Sequence, residues 1–145
     1  MNSLSVKTKF GWITAIEEKG KIIRVKFDKN KKNSNTKILI NFRKSLNNYL
    51  KKKKSIFFKY EIKGNKIQKK VWNELKKIPF GATKSYGEIA KKFKISPRHV
   101  GKICAQNKIL LLIPCHRVIR SDGSLGGFTS RGGIKLKKKL LNFES

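Results

Sequence analysis

Acidic residues are nearly missing from this chain of 145 residues: 8 Asp and Glu stand against 37 Lys and Arg, a formal net charge of +29 at pH 7. That imbalance directs long-range attraction toward a polyanion, nucleic acid first. Runs such as Lys51-Lys52-Lys53-Lys54 and Lys137-Lys138-Lys139 read either as solvated faces or as contacts to that partner. Solvation alone does not account for the total. Cysteine is also scarce. Cys104 and Cys115 are the only two, which excludes a disulfide framework and a four-cysteine zinc module. His99, Cys104, Cys115 and His116 supply four potential ligands but lack the close pairing of zinc fingers, so no metal is expected. No stretch of about 18 apolar residues is present and Met1-Asn2-Ser3-Leu4 opens no apolar leader, so no membrane association is expected. The expectation is a cytoplasmic protein, nucleoid-associated when bound to DNA, with both thiols reduced.

What is present divides into two regions. With 38% hydrophobic residues the chain can build a modest core. Between Thr8 and Phe27, Phe10-Gly11-Trp12-Ile13-Thr14-Ala15-Ile16 and Ile22-Ile23-Arg24-Val25-Lys26-Phe27 flank the polar Glu17-Glu18-Lys19-Gly20, a hairpin pattern. Ile38, Phe42, Leu46 and Tyr49-Leu50 recur at helical spacing, and Ile56-Phe57-Phe58 reads as a further strand. A small α/β domain over residues 1–63 follows, with Gly64-Asn65 as the boundary to a mainly helical domain over 64–145. There Ile67, Val71-Trp72 and Leu75 share a helix face that stops at Ile78-Pro79-Phe80-Gly81, and Ser85 to Phe93 forms a second helix. Ser96 caps a third, Pro97 to Gln106, with Pro97 at its first position. The last two, joined by a tight turn, make a helix-turn-helix with Pro97 to Gln106 as recognition helix.

Ile113-Pro114-Cys115-His116-Arg117-Val118 carries the chemistry. It places a thiol, an imidazole and a guanidinium side by side behind a proline that restricts the backbone. The thiolate is the attacking form, and neighbouring His and Arg charge is expected to lower the thiol's pKa from roughly 8.5. The hexapeptide resembles the active-site signature of the O6-alkylguanine-DNA alkyltransferases. The resemblance runs from Ile67 to Glu144, through Val71-Trp72, Ile78-Pro79-Phe80-Gly81, Thr83-Lys84-Ser85-Tyr86-Gly87-Glu88-Ile89-Ala90, Arg98, Val100-Gly101 and Asn107, then Ser121-Asp122-Gly123, Gly126-Gly127-Phe128, Gly132-Gly133, Lys135 and Leu140-Leu141.

The resemblance implies an α+β protein whose second domain is a winged helix-turn-helix-like catalytic domain. It implies repair of O6-alkylguanine, and of O4-alkylthymine, in double-stranded DNA by single-turnover transfer of the alkyl group to the protein's own cysteine. Neither cofactor nor oligomer is implied. Cys115 would be the acceptor, His116 its base through a water, and Glu144 the carboxylate orienting His116, the alternative for Glu144 being a frayed surface residue. Arg98 would fill the stack left by a flipped base, and Tyr86 would crowd its phosphate and bond the base edge. Pro97 and His99 stand where small residues usually flank that arginine. Asn107 and Arg117 would brace the active-site turn. The base pocket would comprise the carbonyls of Cys115 and Val118, Cys104 on the wall, and the loop from Gly126 through Phe128 to Thr129. Two other readings stay open: a non-catalytic alkyltransferase-like lesion-binding protein, which would lack the cysteine, and a helix-turn-helix regulator, which would need an effector or dimerisation segment.

Overall fold

The computed structural model describes residues 1–52 and 55–145, so Lys53 and Lys54 of the first lysine run lie outside the described residues. The chain forms an α+β fold of two compact units: residues 1–63 with 108–112, and residues 64–107 with 113–145.

In the first unit β1 (Asn2–Thr8), β2 (Gly11–Glu18) and β3 (Lys21–Lys26) form one antiparallel sheet in that order. Its apolar face follows from alternation: Leu4 pairs with Ala15 and Val6 with Ile13, while Lys7 pairs with Trp12 on the other face. The β2–β3 connection has two residues, Lys19 and Gly20, both with positive φ (52° and 78°). That geometry matches the right-handed twist of the strands it joins. Helix α1 (Lys37–Lys52) packs Leu39, Phe42, Leu46 and Tyr49 into the core. Two expectations change here. The sheet begins at Asn2, giving three strands rather than the hairpin from Thr8. Ile56-Phe57-Phe58 is not a strand: Ile56 and Phe58 bury their side chains, Phe58 edge-on to Phe42 at 5.4 Å, and only Tyr60 bridges Ile22 in parallel. Apolar burial produced the strand-like pattern without a pairing partner. Ile109 bridges Val25 in the same way, which is how residues 108–112 join this unit.

The second unit contains α2 (Lys66–Leu75), β4 (Lys84–Ser85), α3 (Tyr86–Phe93), α4 (Pro97–Ala105), a 3-10 turn (Cys115–Arg117), β5 (Val118–Ile119) and α5 (Gly133–Glu144). Each helix start is specified locally. Asn65 and Gln68 form a capping box on α2, Ser85 accepts from the Glu88 N–H, and Ser96 accepts from the His99 N–H ahead of Pro97. Between α3 and α4 the chain reverses at Lys94, whose φ of 55° ends α3 in a left-handed cap. The helix-turn-helix results. Trp72 of α2 donates its indole N–H to the Ile103 carbonyl of α4 at 3.1 Å, fixing the pair to the scaffold. β4 and β5 pair in parallel, Lys84 with Val118 and Ser85 with Ile119, and so bring the first residue of α3 beside the segment that follows the 3-10 turn.

Removing the Ser96 cap leaves an α4 N–H unpaired. Ser96→Ala is expected to cost about 1 kcal/mol, read as a lower urea midpoint at unchanged slope.

Candidate active site

Pro114 sets the site's geometry. Its φ of −82° and ψ of 65° are those of an inverse γ-turn, closed by the Cys115 N–H to the Ile113 carbonyl at 2.8 Å. The Arg117 N–H then bonds the Pro114 carbonyl at 2.9 Å, so Cys115, His116 and Arg117 leave one short 3-10 turn in three directions. Asn107 binds the turn from outside. Its Nδ2 donates to the Ile113 carbonyl at 2.8 Å and reaches Cys115 Sγ at 3.4 Å.

His116 and Arg117 converge on one carboxylate. His116 Nε2 lies 2.9 Å from Glu144 Oε2, while Arg117 grips Glu144 with Nε to Oε1 at 2.8 Å and Nη2 to Oε2 at 2.9 Å. The third arm of the guanidinium, Nη1, donates to the Ile78 carbonyl at 2.8 Å. Glu144 is buried and held in place. Phe143 stands edge-on to Phe80 at 6.0 Å. Gly81 (φ +86°) passes so close that a Cβ there would lie 3.1 Å from the Glu144 carbonyl oxygen. The Ile78-Pro79-Phe80-Gly81 turn is thus the seat of the last turn of α5.

This arrangement corrects the expected activation of the thiol. The His116 and Arg117 side chains are both turned to Glu144, and burial pushes the Cys115 thiol up. The Asn107 hydrogen bond, the positive charge of Lys137 and a backbone hydrogen bond within Cys115 pull it back. Burial likewise drives the His116 imidazole below its ordinary value against the opposing pull of Glu144, so it is neutral near pH 7. With Nε2–H donated to Glu144, Nδ1 carries the free lone pair.

Cys115 opens onto a cavity of about 790 Å³ lined by Tyr86, Arg98, Gly101, Cys104, Gly126 and Thr129 among others. Pro97, Phe128, Gly127 and the unforeseen Arg120 also belong to its wall. Arg98, Pro97 and His99 are exposed on the first turn of α4, and Arg98 and Pro97 line the cavity. Thr129 is exposed, its hydroxyl 3.4 Å from the Ala105 carbonyl, and Phe128 is half-buried. Cys104 is a buried free thiol, pushed up strongly by burial. Gly126 adopts φ +72°, and a Cβ there would come within 3.1 Å of the Tyr86 hydroxyl. Only glycine lets the loop lie on that ring.

Lys137, part of a run that reads from sequence as either a solvated face or partner contacts, is 0% exposed. Its ammonium donates to the Val118 carbonyl at 2.6 Å, the Gly127 carbonyl at 3.3 Å and the Tyr86 hydroxyl at 3.3 Å. The Val118 carbonyl, expected to meet the base, is thus already engaged. Burial pushes the Tyr86 phenol up to about 12, so it stays protonated. Since its oxygen accepts from Lys137, its own proton is left to donate. A helix-heptad reading of Lys137 against Leu136, Leu140 and Glu144 would have flagged it, because it lies on the same side of α5 as Glu144.

A helix-turn-helix whose cavity opens on a buried cysteine, itself beside a His-Glu-Arg cluster, defines a DNA-binding protein with a thiol site. The sequence profile of the 6-O-methylguanine DNA methyltransferase DNA binding domain matches residues 66–145. A methylated-DNA–protein-cysteine methyltransferase of Metallosphaera sedula is 37% identical over 93% of this chain and 87% of its own length. One of Sulfolobus acidocaldarius is 50% identical over 55% of this chain, covering 50% of that protein. The chain thus spans about half the length of several of the curated relatives it matches. Among solved structures, the Mycobacterium tuberculosis OGT in complex with DNA superposes with a TM-score of 0.87 at 27% identity, over 99% of this chain and 92% of that one. The chain belongs to the O6-methylguanine-DNA methyltransferase family, and residues 66–145 are its DNA-binding domain.

Glu144→Ala would leave the buried Arg117 guanidinium without a counter-charge. A loss of about 3–5 kcal/mol of stability is expected, measured by urea unfolding.

Proposed function

We propose that this protein repairs O6-alkylguanine in double-stranded DNA by transferring the alkyl group irreversibly to Cys115, as a monomer acting on nucleoid DNA in the cytoplasm. The observation that carries the reading is the exposure of the Cys115 thiol to a helix-turn-helix cavity with a neutral, carboxylate-anchored His116 on the next residue. The relatives' names, and the DNA in the M. tuberculosis OGT structure, support the same reaction. Arg98, on the exposed first turn of α4, enters the stack as the target nucleotide leaves it. The extruded base enters the cavity beside Tyr86, with the Gly126–Thr129 loop closing over it.

His116 Nδ1 takes the Cys115 proton through one bridging water, and Glu144 stabilises the imidazolium that forms. Lys137 and Asn107 stabilise the thiolate. Sγ attacks the alkyl carbon in line, the carbon–O6 bond breaks, and its electron pair leaves on guanine, stabilised by the Tyr86 hydroxyl at the base edge. No cofactor takes part. The product thioether has no good leaving group, so neither water nor a thiol regenerates the thiol. O4-alkylthymine presents the same alkyl–oxygen bond and is the second substrate we assign.

Incubation with excess methylated duplex, followed by peptide mass measurement, should show one methyl per protein, on the Cys115 peptide. Cys104 should stay unmodified because burial holds it as a neutral thiol between Ile103 and Ala105, with no adjacent residue to take its proton as His116 does for Cys115. Repeated turnover, or methyl on Cys104, would refute the mechanism.

The relay also sets the pH dependence. His116 is neutral above its lowered pKa, so the transfer rate should be level through pH 7 and fall only when acid below the usual imidazole range protonates Nδ1. A rate that instead climbed steadily to pH 9 would indicate a free thiolate formed without His116.

A further inference from the structure

The catalytic unit accounts for only part of the chain's charge. Residues 1–63 hold 18 of the Lys and Arg and 4 of the Asp and Glu, the rest of the chain 19 and 4. The sheet unit is therefore as basic as the unit with the cavity, although none of its described residues lines that cavity.

Its lysines are not spread evenly in structural terms. Asp28 to Asn35, a segment with three exposed lysines (Lys29, Lys31 and Lys32), is fastened to the sheet at every other residue or so. The Thr14 hydroxyl donates to the Asp28 carbonyl, the Asn30 N–H to Ser5 Oγ at 2.9 Å, and the Ser3 hydroxyl to the Lys32 carbonyl at 2.8 Å. Asn33 Oδ1 accepts from the Ser5 N–H at 3.0 Å, and the Ser34 N–H bonds the Ser3 carbonyl at 2.8 Å. A polar loop with this much like charge would repel itself into solvent if left free. Here serine and threonine on β1 and β2 hold it in one conformation. Beside it, Lys29 Nζ sits 4.5 Å over the Trp12 ring, and Lys9 lies 5.9 Å from the Phe10 ring. Lys7 is the cross-strand neighbour of Trp12. The rings take up lysine freedom in advance, so less is lost when an anion binds.

We propose that this patch, comprising Lys7 and Lys29 at Trp12, Lys9 at Phe10, and Lys31 and Lys32 farther along the held loop, is a second DNA-binding surface, one that takes the phosphate backbone of duplex DNA regardless of sequence or lesion. Regularly placed phosphates are the complement of several ammonium groups carried on a held backbone, and the Asp28 carboxylate among them already accepts from the Lys29 N–H through Oδ1 at 2.8 Å. The surface is independent of alkyl transfer. It would exist whether or not Cys115 accepts an alkyl group, and its failure would leave the transfer reading untouched.

The test uses the full chain and undamaged duplex, with affinity measured from 50 to 300 mM salt. Neutralising the five lysines together (K7Q, K9Q, K29Q, K31Q, K32Q) should make the log–log slope less negative by about 3–4.5, each phosphate contact being worth roughly 0.9. A control set of five exposed lysines on the same unit but outside the patch (K37Q, K44Q, K51Q, K59Q, K63Q) should change it by less than about 1. Trp12 is the half-exposed tryptophan and Trp72 is buried, so duplex should shield the wild-type fluorescence from acrylamide and the shielding should vanish in Trp12→Phe. Equal slope changes from both lysine sets, or no shielding of Trp12, would reduce the patch to diffuse charge and overturn the proposal. Circular dichroism of the two five-lysine variants separates loss of binding from loss of fold.

Discussion

The Glu144 carboxylate, buried in the last turn of α5, is the charge around which the second unit is organised. An isolated buried carboxylate is costly, and a cation brought to it in poor geometry does not repay the desolvation. Arg117 meets the requirement with a two-pronged grip, and His116 adds a further bond to one of the same oxygens. The third arm of Arg117 ties the Ile78 carbonyl, so one ion pair joins the end of α2, the turn after it, the Cys115–Arg117 turn and α5. Breaking it would release all four. The position of the thiol therefore depends on a contact that the thiol itself does not make.

That dependence explains why adjacency in sequence misleads about electrostatics. Cys115, His116 and Arg117 are consecutive, and from sequence their charges seem to add at the sulfur. A 3-10 turn instead sends successive side chains about 120° apart. Two of the three go to Glu144, and the thiol is left with a neutral amide, Asn107, and a lysine reached from another helix. A neutral resting thiol beside a neutral imidazole suits the single transfer proposed for Cys115, because a standing thiolate would be open to oxidation and stray alkylation.

The parts legible in sequence were those written in local rules. Ser96-Pro97, Ser85 and Asn65 with Gln68 announce helix starts through capping, and the spacing of Ile38, Phe42, Leu46 and Tyr49 shows a helix face. The Cys115 hexapeptide, with its matches along residues 67–144, pointed to the family. What stayed illegible was set by long-range contacts. The strand β1 alternates weakly because Ser3 and Ser5 face a polar loop rather than solvent or core. The apolar stripe of α5 is diluted by Lys135, Lys137, Lys138 and Lys139, so neither the helix nor its one buried lysine stands out. β4 and β5 have two residues each, too short for any period to register.

The two buried cations of this unit, Arg117 and Lys137, are not interchangeable, and their acceptors show why. Glu144 offers two oxygens in one plane, which a flat guanidinium meets with parallel N–H bonds and a third N–H to spare. The Lys137 acceptors come from three separate segments: the Val118 carbonyl after the active-site turn, the Gly127 carbonyl in the pocket loop, and the Tyr86 hydroxyl at the start of α3. No plane contains such a set in general, but the three tetrahedral protons of an ammonium can point to all of them. A compact point charge also fits beneath the glycines of the loop, where Gly126 already lies against Tyr86. Lysine on α5 therefore gathers the walls of the cavity as arginine gathers its floor, and both work from the same helix or onto it. The α5 helix thus braces segments that line the cavity, although none of its side chains lines it.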